Sequence, residues 1–141
     1  MKGKGLVLDT GPLFLYFAGD REATAIIDSG RRGEVDLYTC EVIMAEFYYK
    51  TCEKFGRDVA ELRSRSIRKS GINIDYIDEK LTHVAGILRC THRAEISLAD
   101  AYILALCRVR EAQLITTDGL LKQLNLVPTR LLRVLRRKDS V

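Results

Sequence analysis

Short apolar runs alternate along this chain with longer stretches in which apolar and polar residues recur at helical spacing. The first run, Leu6 to Leu8, is continuously apolar, as in a strand buried on both faces of a parallel sheet. Further strand-like runs cover 35–39, 73–77 and 113–116. The intervening stretches predict helices over 11–17, 20–28, 41–54, 58–69, 78–93 and 97–111.

This alternation predicts an α/β fold with a central parallel sheet and right-handed crossovers. Pro12 is placed at the first position of its helix, where its missing N–H is tolerated. The second helix is expected to end at the turn 30–33. The tail from Thr129 predicts a last short strand or helix followed by a basic end. We expect one domain spanning residues 1–141.

Composition and charge narrow the class of protein. Of 141 residues, 47% are hydrophobic and 30% charged, which is ordinary for a folded soluble domain and argues against disorder. The formal net charge is +4. If several acids face a metal ion, the remaining surface is more basic than this total suggests, and it favours an anionic partner such as nucleic acid.

The start of the chain imitates a signal peptide, since Lys2 and Lys4 precede the apolar stretch 6–18. Asp9 and Pro12 inside that stretch argue against this interpretation. No apolar run approaches the ~20 residues that span a bilayer, so we expect a cytoplasmic protein without membrane association.

Two other kinds of site are disfavoured. Two histidines lie nine positions apart, which does not suit a zinc site (His83 and His92). The cysteines form no C-x-x-C pair and are interpreted as reduced, buried small hydrophobic residues rather than zinc or disulfide cysteines (Cys40, Cys52, Cys90 and Cys107).

Four acids stand in apolar surroundings. Asp9 and Asp118 each follow a predicted strand. Glu46 interrupts an apolar helix, and Asp100 is the sole charge between residues 96 and 107. A buried carboxylate needs a partner, a proton or a metal, and the carboxyl ends of parallel strands meet in one crevice. An all-oxygen ligand set suits Mg²⁺ or Mn²⁺ better than Zn²⁺, so we predict that the four acids share such an ion.

Each acid also has a structural alternative. Asp100 is placed to complete a capping box with the serine three positions earlier. Asp9 can simply end a strand, and Asp118 precedes a glycine in a common turn pair. Glu46 can pair with Lys50 one helical turn later. These alternatives are unrelated to one another, whereas one metal site explains all four acids.

The chain resembles the PIN-domain ribonucleases, and specifically the VapC-like toxins of type II toxin–antitoxin pairs. The resemblance covers nearly the whole chain. It rests on four motifs in order: Val7-Leu-Asp-Thr-Gly-Pro-Leu13, Ala45-Glu46-Phe47, Ser97-Leu-Ala-Asp-Ala-Tyr-Ile-Leu-Ala105 and Ile115-Thr-Thr-Asp118.

The resemblance implies a PIN-like three-layer sandwich and an endoribonuclease dependent on Mg²⁺ or Mn²⁺, which hydrolyses RNA phosphodiester bonds by metal-activated water. It implies that Asp9, Glu46, Asp100 and Asp118 are the catalytic and metal-binding residues. It also implies a homodimer and a small antitoxin as partner. No further acid follows Asp118 nearby, which leaves open whether one metal ion or two are bound.

The resemblance gives Thr116 a supporting role beside the first aspartate, and Thr10, the polar neighbour of Asp9, is also predicted to support the site. Basic residues are candidates for guiding RNA phosphates: Arg31, Arg32, the stretch 63–69 and the tail arginines. Two alternatives remain at this point. One is a catalytically weak PIN-like module that binds RNA or protein, and the other is a stand-alone RNA-processing nuclease.

A further rival class, another Mg²⁺ enzyme on a similar sheet, is disfavoured. Phosphatases of the haloacid-dehalogenase type need a second aspartate two residues after the nucleophile, where this chain has Gly11. A dinucleotide-binding domain is excluded because no G-x-G-x-x-G motif follows the first strand.

Overall fold

The computed structural model describes residues 5–134. Within this range the strands are β1 (Leu6–Leu8), β2 (Leu37–Cys40), β3 (Asn73–Asp75), β4 (Gln113–Thr116) and β5 (Thr129–Leu131). The helices are α1 (Thr10–Phe17), α2 (Arg21–Arg31), α3 (Glu41–Phe55), α4 (Arg57–Arg68), α5 (Glu79–Thr91), α6 (Leu98–Arg110) and α7 (Gly119–Leu124). No helix in this part of the chain is long and apolar enough to cross a membrane.

The strands form one parallel sheet in the order β3-β2-β1-β4-β5. Strand β1 is central, with Leu6 opposite Leu37 of β2 and Val7 opposite Leu114 of β4. The chain winds outwards from β1 in one direction through β2 and β3, and in the other through β4 and β5. The strand order therefore reverses between β1 and β4, which is where α/β folds of this kind open a crevice.

Helices pack against the sheet and against one another, which confirms the predicted α/β sandwich. Helix α6 contacts β1, β2 and β4, and α5 packs on α6, whereas α3 packs on α4 and contacts β2 and α1. The central strands are buried, as the continuously apolar sequence of β1 predicts: Val7, Leu8, Leu114 and Ile115 are at most 1% exposed. Burial on both faces explains why these strands lack the alternating pattern of a half-exposed sheet.

The start of α1 differs from the prediction. Asp9 is the N-cap and its side chain accepts a hydrogen bond from the Thr10 N–H, so Pro12 is the third residue of the helix rather than the first. Because the first four N–H groups of a helix have no partner within it, proline is equally tolerated there. The Asp9 cap therefore starts the helix two residues earlier than Pro12 suggested.

Helix α2 ends inside the predicted turn 30–33, but it continues to Arg31, three residues beyond the predicted bound at residue 28. Gly30 lies where the helix crosses β2, and a Cβ atom built on it would approach Leu37 Cδ1 to 2.4 Å. The glycine therefore allows helix and sheet to approach closely and does not end the helix. The presence of a glycine in the sequence does not by itself show whether it ends a helix or permits close packing.

The remaining differences concern element ends. Strand β3 stops at Asp75 rather than residue 77, because the chain must leave the sheet for Asp78 to cap α5 through its hydrogen bond from the Leu81 N–H. Helix α7 was not predicted, since Asp118-Gly119 was interpreted as a turn only. The predicted last element is a strand, β5. The end of the predicted basic tail, residues 135–141, lies outside the described residues.

Gly30→Ala is expected to destabilise the fold, although alanine favours helix over glycine by about 1 kcal/mol. The new methyl group collides with buried Leu37, and such overpacking costs roughly 1–3 kcal/mol. The matched control is Gly86→Ala in α5, where nothing lies within 4 Å of the added Cβ. That variant should gain up to about 1 kcal/mol, and urea unfolding measures both changes. Equal stabilisation by the two substitutions would contradict the close approach at Gly30.

Candidate active site

Two of the predicted acids follow neighbouring strands at the point where the strand order reverses. Asp9 comes directly after β1, and Asp118 comes two residues after the end of β4. These strands pair in parallel register, so their carboxyl ends lie side by side. The crevice expected from the topology is therefore bordered by two of the predicted acids, Asp9 and Asp118.

The Asp9 carboxylate is held by two donors. Asp9 is only 8% exposed. Its Oδ1 accepts a hydrogen bond from the Thr10 N–H at 2.8 Å, and its Oδ2 accepts one from the Thr116 hydroxyl at 2.8 Å. Thr116 Oγ1 in turn accepts from the Asp118 N–H at 3.1 Å. The fully buried Thr116 hydroxyl thus joins the ends of both strands and fixes the direction of the Asp9 carboxylate.

Burial raises the pKa of Asp9 from its usual 3.8 to about 6. The hydrogen bonds from Thr116 and Thr10 lower that pKa, and the negative charges of Asp100 and Glu46 raise it further. The negative charges of Glu46, from α3, and Asp100, from α6, therefore both act on the Asp9 carboxylate at the end of β1. A desolvated carboxylate with two negative neighbours favours a proton or a cation beside it.

Glu46 reaches this region from the second turn of α3. Its Oε1 accepts from the Thr10 hydroxyl at 2.8 Å, so Thr10 connects Glu46 to the first turn after Asp9. Its Oε2 lies 3.8 Å from Lys50 Nζ, and the Glu46 side chain is 19% exposed. The helical ion pair considered as an alternative is present together with the contact to the acid region.

Asp100 also has the structural role that its sequence context suggested. Its Oδ2 accepts from the Ser97 N–H and its own N–H donates to Ser97 Oγ, each at 3.0 Å, which is a complete capping box. The cap holds the carboxylate in the first turn of α6. Its charge still raises the pKa of Asp9, so capping and participation in the acid region are compatible.

Asp118 is turned more towards its own helix than the prediction assumed. Its Oδ1 accepts from the Leu120 N–H at 2.9 Å and the Leu121 N–H at 3.4 Å, and so caps α7. It joins the other acids through its backbone bond to Thr116. The expectation that all four acids are buried is wrong: Asp9 is buried, whereas Glu46, Asp100 and Asp118 are of intermediate exposure.

The donor set fits a hard divalent cation. Asp9, Glu46 and Asp100 offer carboxylate oxygens without any neutral nitrogen or thiolate ligand, which is the chemistry of Mg²⁺ and Mn²⁺ sites. Among residues 5–134, no group of three His, Cys, Asp or Glu side chains lies close enough together to hold a metal ion.

The cysteines follow their expected behaviour only in part. Cys40 and Cys107 are buried, and burial raises the pKa of both thiols, so they remain protonated. Cys90 is exposed, contrary to the expectation that all four are buried. Cys52 is of intermediate exposure and so also differs from that expectation.

Many of the predicted phosphate-guiding arginines are engaged in ion pairs. These pairs are Arg31 with Asp28, Arg32 with Glu34, Arg68 with Glu41 and Arg130 with Glu22. Arg63 is different, because its guanidinium lies over aromatic rings. Arg63 was predicted only as a member of the basic stretch 63–69, and its contacts with the rings of Phe17 and Phe55 were not predicted.

The chain matches the family described as PIN domain over residues 6–125. A search of curated proteins gives no match.

Several solved structures share the fold. VapBC2 from Rickettsia felis, bound to a DNA fragment from its promoter, is 15% identical with a TM-score of 0.72, covering 89% of this chain and 97% of that one. The toxin VapC20 of Mycobacterium tuberculosis, described as cleaving the sarcin–ricin loop, is 18% identical with a TM-score of 0.71, covering 89% and 99%. A toxin–antitoxin complex from Klebsiella pneumoniae is 23% identical with a TM-score of 0.61, covering 81% and 87%.

The raised pKa of Asp9 predicts an unusual dependence of stability on pH. Between about pH 4 and pH 6 the folded chain binds more protons than the unfolded chain, so stability falls as the pH rises through this window and is constant above it. The loss at neutral pH is about 3 kcal/mol at most. Asp9→Asn removes the charge, so without divalent cations it should be more stable than the parent at pH 7 and equal to it near pH 4.

Thermal unfolding in EDTA across this pH range measures the difference. The control is Glu53→Gln, which removes a carboxylate from the exposed side of α3. If Asp9→Asn and the parent protein keep parallel pH profiles, the carboxylate of Asp9 is not desolvated as described.

Proposed function

Since this chain belongs to the PIN domain family, we propose that it is a metal-dependent endoribonuclease that hydrolyses RNA phosphodiester bonds, and that it is the toxin of a toxin–antitoxin pair. The observation that carries the nuclease proposal is the convergence of the Asp100 and Glu46 charges on the buried carboxylate of Asp9. A fold alone does not establish an activity, so the proposal depends on this site.

Electrostatics favour a cation as the link between the acids and an RNA phosphate. Two carboxylates about 5 Å apart repel by roughly 3 kcal/mol at an effective dielectric near 20. A phosphodiester, which is also an anion, is repelled in the same way. A divalent ion held by Asp9, Glu46 and Asp100 would offset the charge developing on the phosphate and activate water for attack.

The protein groups around this position supply orientation. Thr116 and the Thr10 N–H hold both oxygens of Asp9, which leaves the outward lone pairs of the carboxylate available. The Thr10 hydroxyl holds one oxygen of Glu46, and the other faces Lys50. Asp118 has one oxygen committed to α7, so we propose that its Oδ2 contributes from the edge of the site.

The toxin part of the proposal is supported by the structural neighbours, whose descriptions include VapBC2, VapC20 and a toxin–antitoxin complex. We propose by extension that a small antitoxin protein binds this chain and restrains its activity, and that the chain forms a homodimer. RNA is the proposed substrate, in line with the net charge of +4.

Asp100→Asn tests the nuclease proposal, because an asparagine oxygen can still accept the hydrogen bond from the Ser97 N–H while the negative charge is lost. RNA cleavage in Mg²⁺ or Mn²⁺ should fall at least about a hundredfold, as is usual when a charge-stabilising group is removed. Mapping of product ends on a defined RNA panel, with and without the metal, measures the loss.

Ser97→Ala is the matched control, since it removes the cap of α6 and keeps the carboxylate. It should cost about 1 kcal/mol of stability and retain most of the cleavage. An equal loss of activity in the two variants would indicate that Asp100 serves only to cap the helix. If the parent protein binds RNA without cutting it, the chain is a binding module.

A further inference from the structure

A groove of about 520 Å³ opens beside the acid region. Gly11 and Thr117 form its near end, and each is next to or near one of the strand-end acids. Lys50, the partner of Glu46, also contributes to its wall. The groove therefore continues directly from the position proposed for the reacting phosphate.

Aromatic rings form much of the groove surface. Phe14 and Phe17 line it from α1, and both rings rest on the fully buried Phe47, at centroid distances of 5.0 and 5.8 Å. Phe55, at the end of α3, lines the opposite side and is 49% exposed. A large aromatic side chain left half in water beside a concave apolar surface favours a ligand that covers it.

The charged residues that line the groove are all cations: Lys50, Lys54 and Arg63. The Arg63 guanidinium carbon lies 4.7 Å from the Phe55 ring centroid and 5.2 Å from that of Phe17, and Lys54 Nζ lies 5.4 Å from the Phe55 centroid. Across residues 5–134 neither Lys54 nor Arg63 forms an ion pair, unlike the paired arginines described above. Their charge is available to an anionic ligand.

We propose that this groove binds the single-stranded RNA segment adjacent to the cleaved bond, with a base stacked on Phe55 and the backbone phosphates at Lys54 and Arg63. The inference rests on the proposed ribonuclease function and adds the path of the substrate. Exposed aromatic faces interleaved with cations are the combination by which proteins hold single strands, because every base can stack and every phosphate is negative.

The same features argue against other occupants. A base-paired RNA helix keeps its bases stacked within the duplex, so it cannot place one on Phe55. A neutral apolar segment would desolvate three cations without compensating their charge. An acidic peptide with apolar residues is the strongest competitor, and the experiment separates it from RNA.

Tryptophan fluorescence provides a direct test, because the chain contains no tryptophan. Phe55→Trp, made in the Asp100→Asn background so that RNA remains uncut, places one fluorophore at the groove. Short mixed-sequence single-stranded RNA in Mg²⁺ should quench it through stacking, whereas a duplex of the same sequence should not. Tyr76→Trp in the same background is the control, since Tyr76 is 82% exposed and does not line the groove.

Affinities measured by anisotropy of labelled single-stranded RNA give a second readout. Phe55→Ala should weaken binding at least about fivefold, since stacking of one base is worth about that much. Arg63→Gln should reduce the slope of log affinity against log salt by about 0.7, as expected for one lost phosphate contact. Leu62→Ala, which truncates a 65% exposed side chain beside Arg63, should change neither quantity.

The results separate failure of this inference from failure of the proposed function. RNA that binds without quenching Phe55→Trp, and with unchanged affinity in Phe55→Ala and Arg63→Gln, overturns the groove assignment even if the parent protein cuts RNA. Quenching by an acidic apolar peptide but not by RNA assigns the groove to a protein and also overturns it. Quenching by RNA in a protein whose parent never cuts RNA supports the groove and rejects the nuclease.

Discussion

The desolvated carboxylate of Asp9 is the constraint on which the site depends. It lies at the end of the central strand β1, where the strand order reverses between β1 and β4. Two short hydrogen bonds prevent it from turning towards water. Those bonds come from its own helix and from the neighbouring strand, so the carboxylate also ties α1 to β4. Because burial opposes its charge more than the two bonds favour it, the position is prepared for a cation.

The other acids show that local structure and chemistry need not compete for a residue. Asp100 completes a capping box and Asp118 caps α7, yet the cap of Asp100 is what holds its charge near Asp9. A capping carboxylate uses one oxygen for the helix and keeps lone pairs for a ligand. In the sequence the capping roles and a shared site are rival interpretations, but one carboxylate can cap a helix and still have lone pairs for a ligand.

Much of the fold was predictable because buried parallel strands have an unmistakable composition. A continuous apolar run identified β1, and the rule that sites form beyond strand ends predicted that Asp9 and Asp118 lie at the same edge of the sheet. The ends of elements were less predictable. Helix α2 was predicted to stop at residue 28, before Gly30, because the close approach of Gly30 to Leu37 depends on the packing of distant segments, which no local pattern contains. The aromatic groove was missed for the same reason, since its walls come from α1, α3 and α4.

The central claim is that Asp9 and Asp100 serve one cation, although they are 91 positions apart in the sequence. Calorimetric titration of the metal-free protein with Mn²⁺ tests this claim most directly, because it requires neither RNA nor turnover. The account predicts binding by the parent protein and by Glu53→Gln, with loss of binding in both Asp9→Asn and Asp100→Asn. Binding that is unchanged in either aspartate variant would contradict a shared site.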